Sequence, residues 1–269
     1  MKLAVSNIAW KNNDFGKFLE LLSSQNCVGV EIAPSKIWND ISNLKSEEKK
    51  IFSSEIKNHN LDFLGFHSLL YKKDDLQLFK TKESRDKTKK YLLNLIQLCS
   101  ELGGKQLVFG SPQNRSTFNN QKVKEISTKF FNDIGDYSKK YGVNFCLEPL
   151  DKSMTDFLTS INETGAFIKK INHPNLKLHI DTKSFLLSKE NIERNISEFK
   201  LFIYHVHISN KDLSQLTNDI NIHRTVAKSL KQINYDNFLS LEMRRVENDE
   251  IDSIKKSIKF IKDNYLDIL

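Results

Sequence analysis

Short apolar runs alternate along this chain with longer segments in which apolar positions recur at helical spacing. The runs fall at Lys2–Ile8, Cys27–Ala33, Asp62–Leu69, Gln106–Gly110, Val143–Leu150, Leu176–Thr182, Phe202–Ser209 and Phe238–Met243, and their length and composition predict strands. Between them, amphipathic patterns predict helices at Asp14–Ser24, Glu47–Asn58, Glu83–Leu102, Gln121–Tyr141, Thr159–Ile171, Glu190–Phe199, His223–Ile233 and Ile251–Tyr265. In the third of these, Tyr91, Leu92, Leu95, Ile96, Leu98 and Cys99 mark one helical face. Strands joined by helical crossovers belong to parallel sheets. Eight such units in 269 residues, about 34 each, predict an α/β fold closed as a (β/α)8 (TIM) barrel. No Gly-rich turn follows the first strand, which argues against a doubly wound dinucleotide fold. No linker or composition break divides the chain, and Pro34, Pro112 and Pro149 sit where predicted strands end. Residues 1–269 therefore read as a single domain.

The chemistry lies in polar residues that interrupt these apolar strands: Glu148 in NFCLEPL, Asp181 in KLHIDT, His207 in YHVHIS and Glu242 in LSLEMR. Strand side chains alternate faces. Phe145 and Leu147, Leu178 and Ile180, Val206 and Ile208, and Leu239 and Leu241 can thus pack beneath helices while the polar set faces the barrel axis. Each ionisable group stands near the C-terminal end of its strand, the end at which active sites of such barrels gather. Three carboxylates that close repel one another unless a cation neutralises them. Three carboxylates and one imidazole suit a single divalent ion, Mn²⁺, Mg²⁺, Co²⁺ or Zn²⁺. For any one of these residues a satisfied core polar group is an equally good reading; four on consecutive strands favour a shared site.

Composition narrows the partners. Hydrophobic residues make up 39% and Asp, Glu, Lys and Arg 28%, enough apolar material for a full core. The 41 basic and 34 acidic residues give +7, but the lysines spread over helical stretches such as Lys80–Lys90, interleaved with Glu83 and Asp86. That pattern fits a solvated helix surface better than a nucleic-acid patch. Cys27, Cys99 and Cys146 are odd in number and lack metal-binding spacing, which favours a reducing, cytoplasmic compartment. The start MKLAVSNIAW does not read as a signal peptide, and no apolar stretch is long enough to span a membrane.

On these residues the chain resembles the xylose-isomerase-like barrel superfamily, and within it the sugar phosphate isomerase/epimerases. The spacings of 33, 26 and 35 residues from Glu148 through Asp181 and His207 to Glu242 look like those of ketose 3-epimerases. The segments KLAVSNIAW, VEIAPSKIW and INYDNFLSLEM are similar to members of the superfamily. The resemblance implies that Glu148, Asp181, His207 and Glu242 bind one divalent metal, Mn²⁺ first among the candidates. It also implies that Glu148 and Glu242 are the acid–base pair of an epimerase or aldose–ketose isomerase working through an enediolate, in carbohydrate metabolism, and that copies of the chain pair as dimers or tetramers. Three positions depart from the epimerase pattern. Met154 stands for a Glu, Ser184 for a His and Leu213 for an Arg, so the substrate is expected to be a sugar or sugar derivative other than the usual free ketohexose.

Further candidates surround this core. His67, His223, Arg244 and, more weakly, Lys183 are candidate substrate contacts, the cationic pair suiting an anionic group; His67 reads equally well as a satisfied core histidine, and Arg244 as the ion-pair partner of a loop carboxylate. Arg224 is a weaker candidate of that kind. Glu31 is either a substrate contact or a structural ion-pair partner, and Trp10 and Trp38 either wall the pocket or pack. Cys146 reads as inert filler. His67 and His223 also resemble zinc ligands of apurinic-site endonucleases, which makes such a hydrolase the main alternative. A lyase or dehydratase, or a ligand-binding barrel that keeps the metal site, is the other.

Overall fold

The computed structural model describes residues 1–11, 14–188, 190–217 and 219–267. Eight strands, β1 (Lys2–Ser6), β2 (Gly29–Ile32), β3 (Asp62–Phe66), β4 (Gln106–Phe109), β5 (Asn144–Leu147), β6 (Leu176–Asp181), β7 (Ile203–Ile208) and β8 (Phe238–Leu241), pair in sequence order into a closed barrel. All neighbours are parallel, and β1 closes on β8 with Leu3 opposite Leu239 and Val5 opposite Leu241. Around it run α1 (Phe15–Ser24), α2 (Ser46–Asn58), α3 (Lys82–Glu101), α4 (Val123–Tyr141), α5 (Ile161–Ile171), α6 (Thr182–Leu187), α7 (Ile192–Glu198), α8 (Ile220–Gln232) and α9 (Glu250–Ile261), followed by a π-helical turn at Lys262–Leu266. This is the predicted single (β/α)8 barrel. No helix among the described residues is long and apolar enough to cross a membrane.

Alternation governs the packing. Phe145 and Leu147 turn outward and are fully buried; Phe145 meets Phe109 and Phe131 with ring centroids 5.7 and 6.4 Å apart. Burying each such side chain stabilises the barrel by roughly 1.5–3 kcal/mol. Local chemistry fixes the helix ends: the Thr81 hydroxyl accepts from Ser84 N at the start of α3 and Ser160 from Glu163 N at α5. Gly142, with φ +64°, ends α4. On α3, Lys82 pairs with Asp86, Lys87 with Glu83 and Lys89 with Asp133, so these lysines form the solvated helix surface that the charge pattern predicted.

Two features were not predicted. Strand β2 shifts register against β3 between Val30 and Glu31, opposite Gly65, whose φ of +145° brings its backbone so close to β4 that a Cβ would lie 1.8 Å from the Gln106 carbonyl oxygen. A side chain there would push β4 away. The second is α6, a short helix that starts directly after β6 with Asp181 as its N-cap. It turns the chain back over the barrel mouth and carries Lys183.

Candidate active site

The C-terminal ends of the strands open on a cavity of about 580 Å³ whose lining includes His67, Gly110, Glu148, Lys183, Glu242 and Arg244. Asp181 and His207 lie behind them, buried. Register explains the convergence: Asp181 pairs with His207 across β6 and β7, and His207 with Ser240 on β8, two residues below Glu242. Asp181, His207 and Glu242 offer ligand atoms all within 4.8 Å of one another, and Glu148 joins Asp181 and His179 at the same limit. The four residues singled out by strand alternation are therefore neighbours.

Each is held from outside. Asp181 Oδ1 accepts from Lys183 N at 3.0 Å and from the Ser209 hydroxyl, which leaves Oδ2 facing the centre. The Glu148 main-chain carbonyl accepts from Arg115 Nη1 at 2.8 Å. Arg115 is fully buried, with its pKa brought down to about 10 by burial. The Glu148 carboxylate lies over Gly110, where a Cβ would come within 2.2 Å of Oε2. His67 bridges the Ser6 hydroxyl (Nε2, 2.6 Å) and Glu242 Oε1 (Nδ1, 3.3 Å).

Beneath the tetrad lies a second polar layer centred on Glu31. Its Oε2 is 2.7 Å from His207 Nε2 and accepts from the Ser240 hydroxyl at 3.0 Å. Its Oε1 is 3.2 Å from His205 Nε2 and accepts from Gln106 Nε2 at 3.3 Å. Glu31 is thus an ion-pair partner rather than a substrate contact. Burial would raise its pKa, but His205 and His207 outweigh burial and hold the carboxyl well below the usual range. Burial likewise opposes the charged form of His207, yet Glu31 and Glu242 outweigh it and raise the imidazole pKa well above the ordinary value. His179, buried below Asp181, has neither ring nitrogen hydrogen-bonded among the described residues, and burial drives its pKa well down.

Lys183 enters the tetrad itself. Its ammonium stands 2.5 Å from Asp181 Oδ2, 2.9 Å from Glu148 Oε1 and 3.3 Å from Glu242 Oε2. Burial would depress its pKa, but the three carboxylates raise it well above the normal value. Glu148 is raised by burial, and Lys183 only partly offsets this. At Glu242 burial also acts upward, yet Lys183 and His207 together bring the carboxyl well below its ordinary range. The donor set suits a divalent cation in chemistry: three carboxylates and one imidazole converge, Asp181, His207 and Glu242 offer ligand atoms within 4.8 Å of one another, and the ammonium of Lys183 already draws Asp181 Oδ2, Glu148 and Glu242 to one positive charge.

The remaining candidates divide. His67, Lys183 and Arg244 reach the cavity, and Arg244 is exposed there and forms no ion pair with any described residue. His223 does not reach it. Its Nδ1 is 2.7 Å from the Tyr265 hydroxyl and its ring meets Phe260 edge-on, inside the helix layer. The sequence pattern starts the helix at His223 and sets that residue at the pocket mouth; α8 begins at Ile220 and turns it inward. Arg224 bonds Asn264 at 3.0 Å. Trp10 stacks on Phe18 and Trp38 packs against Phe52, so both are packing residues. Cys146 is buried, and burial pushes its thiol pKa up, as inert filler should be. Sequence reasoning missed Arg115, Ser209 and Ser240, which hold the site residues.

Residues 19–264 match the family described as xylose isomerase-like TIM barrel. The L-ribulose 3-epimerase of Methylomonas sp. (strain DH-1) is 25% identical over 150 residues, covering 49% of this chain and 52% of that protein. The ketose 3-epimerase of Arthrobacter globiformis is 25% identical over 103 residues, 38% of this chain and 36% of that protein. The chain thus spans about half the length of the first curated relative and about a third of the second. The barrel superposes on a D-psicose 3-epimerase from Clostridium cellulolyticum H10, solved with D-tagatose, with a TM-score of 0.83 at 14% identity over 98% of this chain and 99% of that one. At that identity the likeness is one of fold.

Proposed function

Since the chain belongs to the xylose isomerase-like TIM barrel family, we propose that it is a sugar isomerase or epimerase that moves a carbon-bound proton of a ketose or sugar derivative, with Glu148 and Glu242 as the acid–base pair. One observation carries this reading. The two carboxylates, from strands separated by β6 and β7, come within 2.9 and 3.3 Å of one point in the cavity, the point marked by Lys183 Nζ. A substrate carbon near that point would have one carboxylate to take its proton and a second to return one. Delivery to the opposite face of the same carbon inverts it, and delivery to the neighbouring carbon isomerises it. The names of the relatives, L-ribulose 3-epimerase and ketose 3-epimerase, support the same reading.

Glu148, Asp181, His207 and Glu242 would hold a divalent ion, Mn²⁺ being the first expectation, and its contribution when bound is to polarise a carbonyl and stabilise enediolate charge. The chain's own residues do the rest. Ser209 and the Lys183 amide fix the Asp181 carboxylate. Arg115 pins the backbone at Glu148. His67, tied to Ser6, holds Glu242 and borders the cavity. At the mouth, Lys72 and the exposed Arg244 suit an anionic or strongly hydrogen-bonding part of the substrate. The endonuclease alternative asked for further imidazoles at the site, and His223, one of them, packs against Tyr265 instead.

The test is deuterium uptake. Wild-type protein supplied with Mn²⁺ and a panel of ketoses and ketose phosphates in D₂O should label at least one sugar at a carbon beside its carbonyl. Glu148→Gln should slow that exchange by about 10²–10⁴-fold, the ordinary contribution of a general base or acid. No labelling of any sugar by the wild type, or full-rate labelling by the variant, rejects the reading.

A further inference from the structure

The tetrad already surrounds a cation. Lys183 Nζ lies at ion-pair distance from three of its four members, Asp181, Glu148 and Glu242, and its side chain is only 11% exposed. Carboxylate oxygens ligate a divalent ion at about 2.0–2.2 Å, so an ion bound by these same oxygens would sit against the ammonium. Two cations within a few ångströms of each other in a buried site repel strongly. The arrangement is also one that can change. The Lys183 main chain is fixed by its amide on Asp181 Oδ1, whereas the ammonium hangs on a flexible stem beside the open cavity. Asp181 and His207 lack that freedom, being pinned by Ser209 and Glu31.

We propose that Lys183 is a built-in competitor for the metal position: the tetrad is neutralised either by the lysine or by a divalent ion, and the ion binds only as the ammonium withdraws into the cavity. Withdrawal places the positive charge where the substrate binds, so the lysine contacts substrate only in the metal-loaded state. This rests on the isomerase reading solely in taking the tetrad as a metal site. It makes two demands: the wild type binds divalent ions more weakly than its ligand set would by itself, and metal and a free Lys183 amine come together.

The experiment measures Mn²⁺ binding by titration calorimetry and by the loss of free-ion paramagnetic resonance signal, for wild type and Lys183→Met. The variant is expected to bind Mn²⁺ at least about tenfold more tightly, because one like charge has left the site. Equal or weaker binding by a folded variant overturns the proposal, and so does an absence of Mn²⁺ binding in both proteins. Should Lys183→Met fail to fold, the wild type decides alone. Reductive methylation followed by peptide mass spectrometry should modify Lys183 faster with Mn²⁺ than without it, and an unchanged rate overturns the proposal. Neither measurement uses catalysis. Tighter binding without deuterium exchange into any sugar would leave the competitor standing and remove the isomerase.

Discussion

Two polar layers stacked in one barrel solve the same problem, buried carboxylate, in opposite ways. In the lower layer a single carboxylate, Glu31, receives two imidazoles, a hydroxyl and an amide from β4, β7 and β8. In the upper layer three carboxylates gather around one lysine ammonium beside an open cavity. In the lower layer both Glu31 oxygens are engaged by short side chains on rigid strands. The upper layer is balanced by one long side chain on α6, and that balance can be exchanged. His207 belongs to both: Nε2 is anchored below on Glu31, and Nδ1 stands 3.5 Å from Glu242 above. Structure is stored below and reactivity above, and one ring transmits orientation between them.

The strongest way to break this division is Glu31→Gln. The substitution keeps the shape but removes the charge on which His205 and His207 depend, and breaking a buried ion pair on one side costs about 3–5 kcal/mol. Guanidinium unfolding should show that loss. In protein that remains folded, Mn²⁺ affinity should fall by about 10–100-fold because His207 loses its anchor. A midpoint within error of wild type would mean that the lower layer carries no load.

Gly110→Ala perturbs the upper layer alone. The added methyl would meet Glu148 Oε2 at 2.2 Å, so the carboxylate must move, and displacing a reacting group by about 1 Å can cost on the order of 10² in rate. The lower layer has no contact with this position among those described, so unfolding midpoints should stay near wild type while deuterium exchange drops. Equal losses of stability and rate would show that the two layers are not separable.

How far these layers were legible depended on what placed each residue. Strand alternation put Glu148, Asp181, His207 and Glu242 on one face, and barrel closure then had to bring them together. The partners of Glu31 come from strands 75, 176 and 209 residues away, so no local pattern could choose between its two readings. Lys183 was legible as a candidate substrate contact but not as the ion-pair partner of the three carboxylates: α6 has six residues, too few for a helical period to register, and the direction of its side chain followed from that turn. Arg115 lies in the segment after β4, where sequence has no periodicity at all, and only the fold shows that it caps the Glu148 carbonyl.

His223 gives the comparison its smallest and cleanest control, a buried histidine outside both layers. Tyr265 and Phe260 face it, and among the described residues Asp219 is the charge that acts on it, to a smaller extent than burial. Burial takes its pKa from 6.5 down to about 4, the opposite of the rise that Glu31 and Glu242 produce in His207. The sign follows from where the proton binds. Above pH 6.5 the ring is neutral folded and unfolded, and its contribution is intact. As pH falls toward 4 the unfolded chain takes up a proton that the folded chain refuses, and stability is lost. At pH 5 the loss is about 2 kcal/mol by this linkage. His223→Gln, which can still bond the Tyr265 hydroxyl, should remove that part of the acid sensitivity, so that the wild type loses ground to the variant between pH 7 and pH 5 in chemical denaturation. Parallel stability profiles would place the acid sensitivity of the barrel in its two polar layers instead.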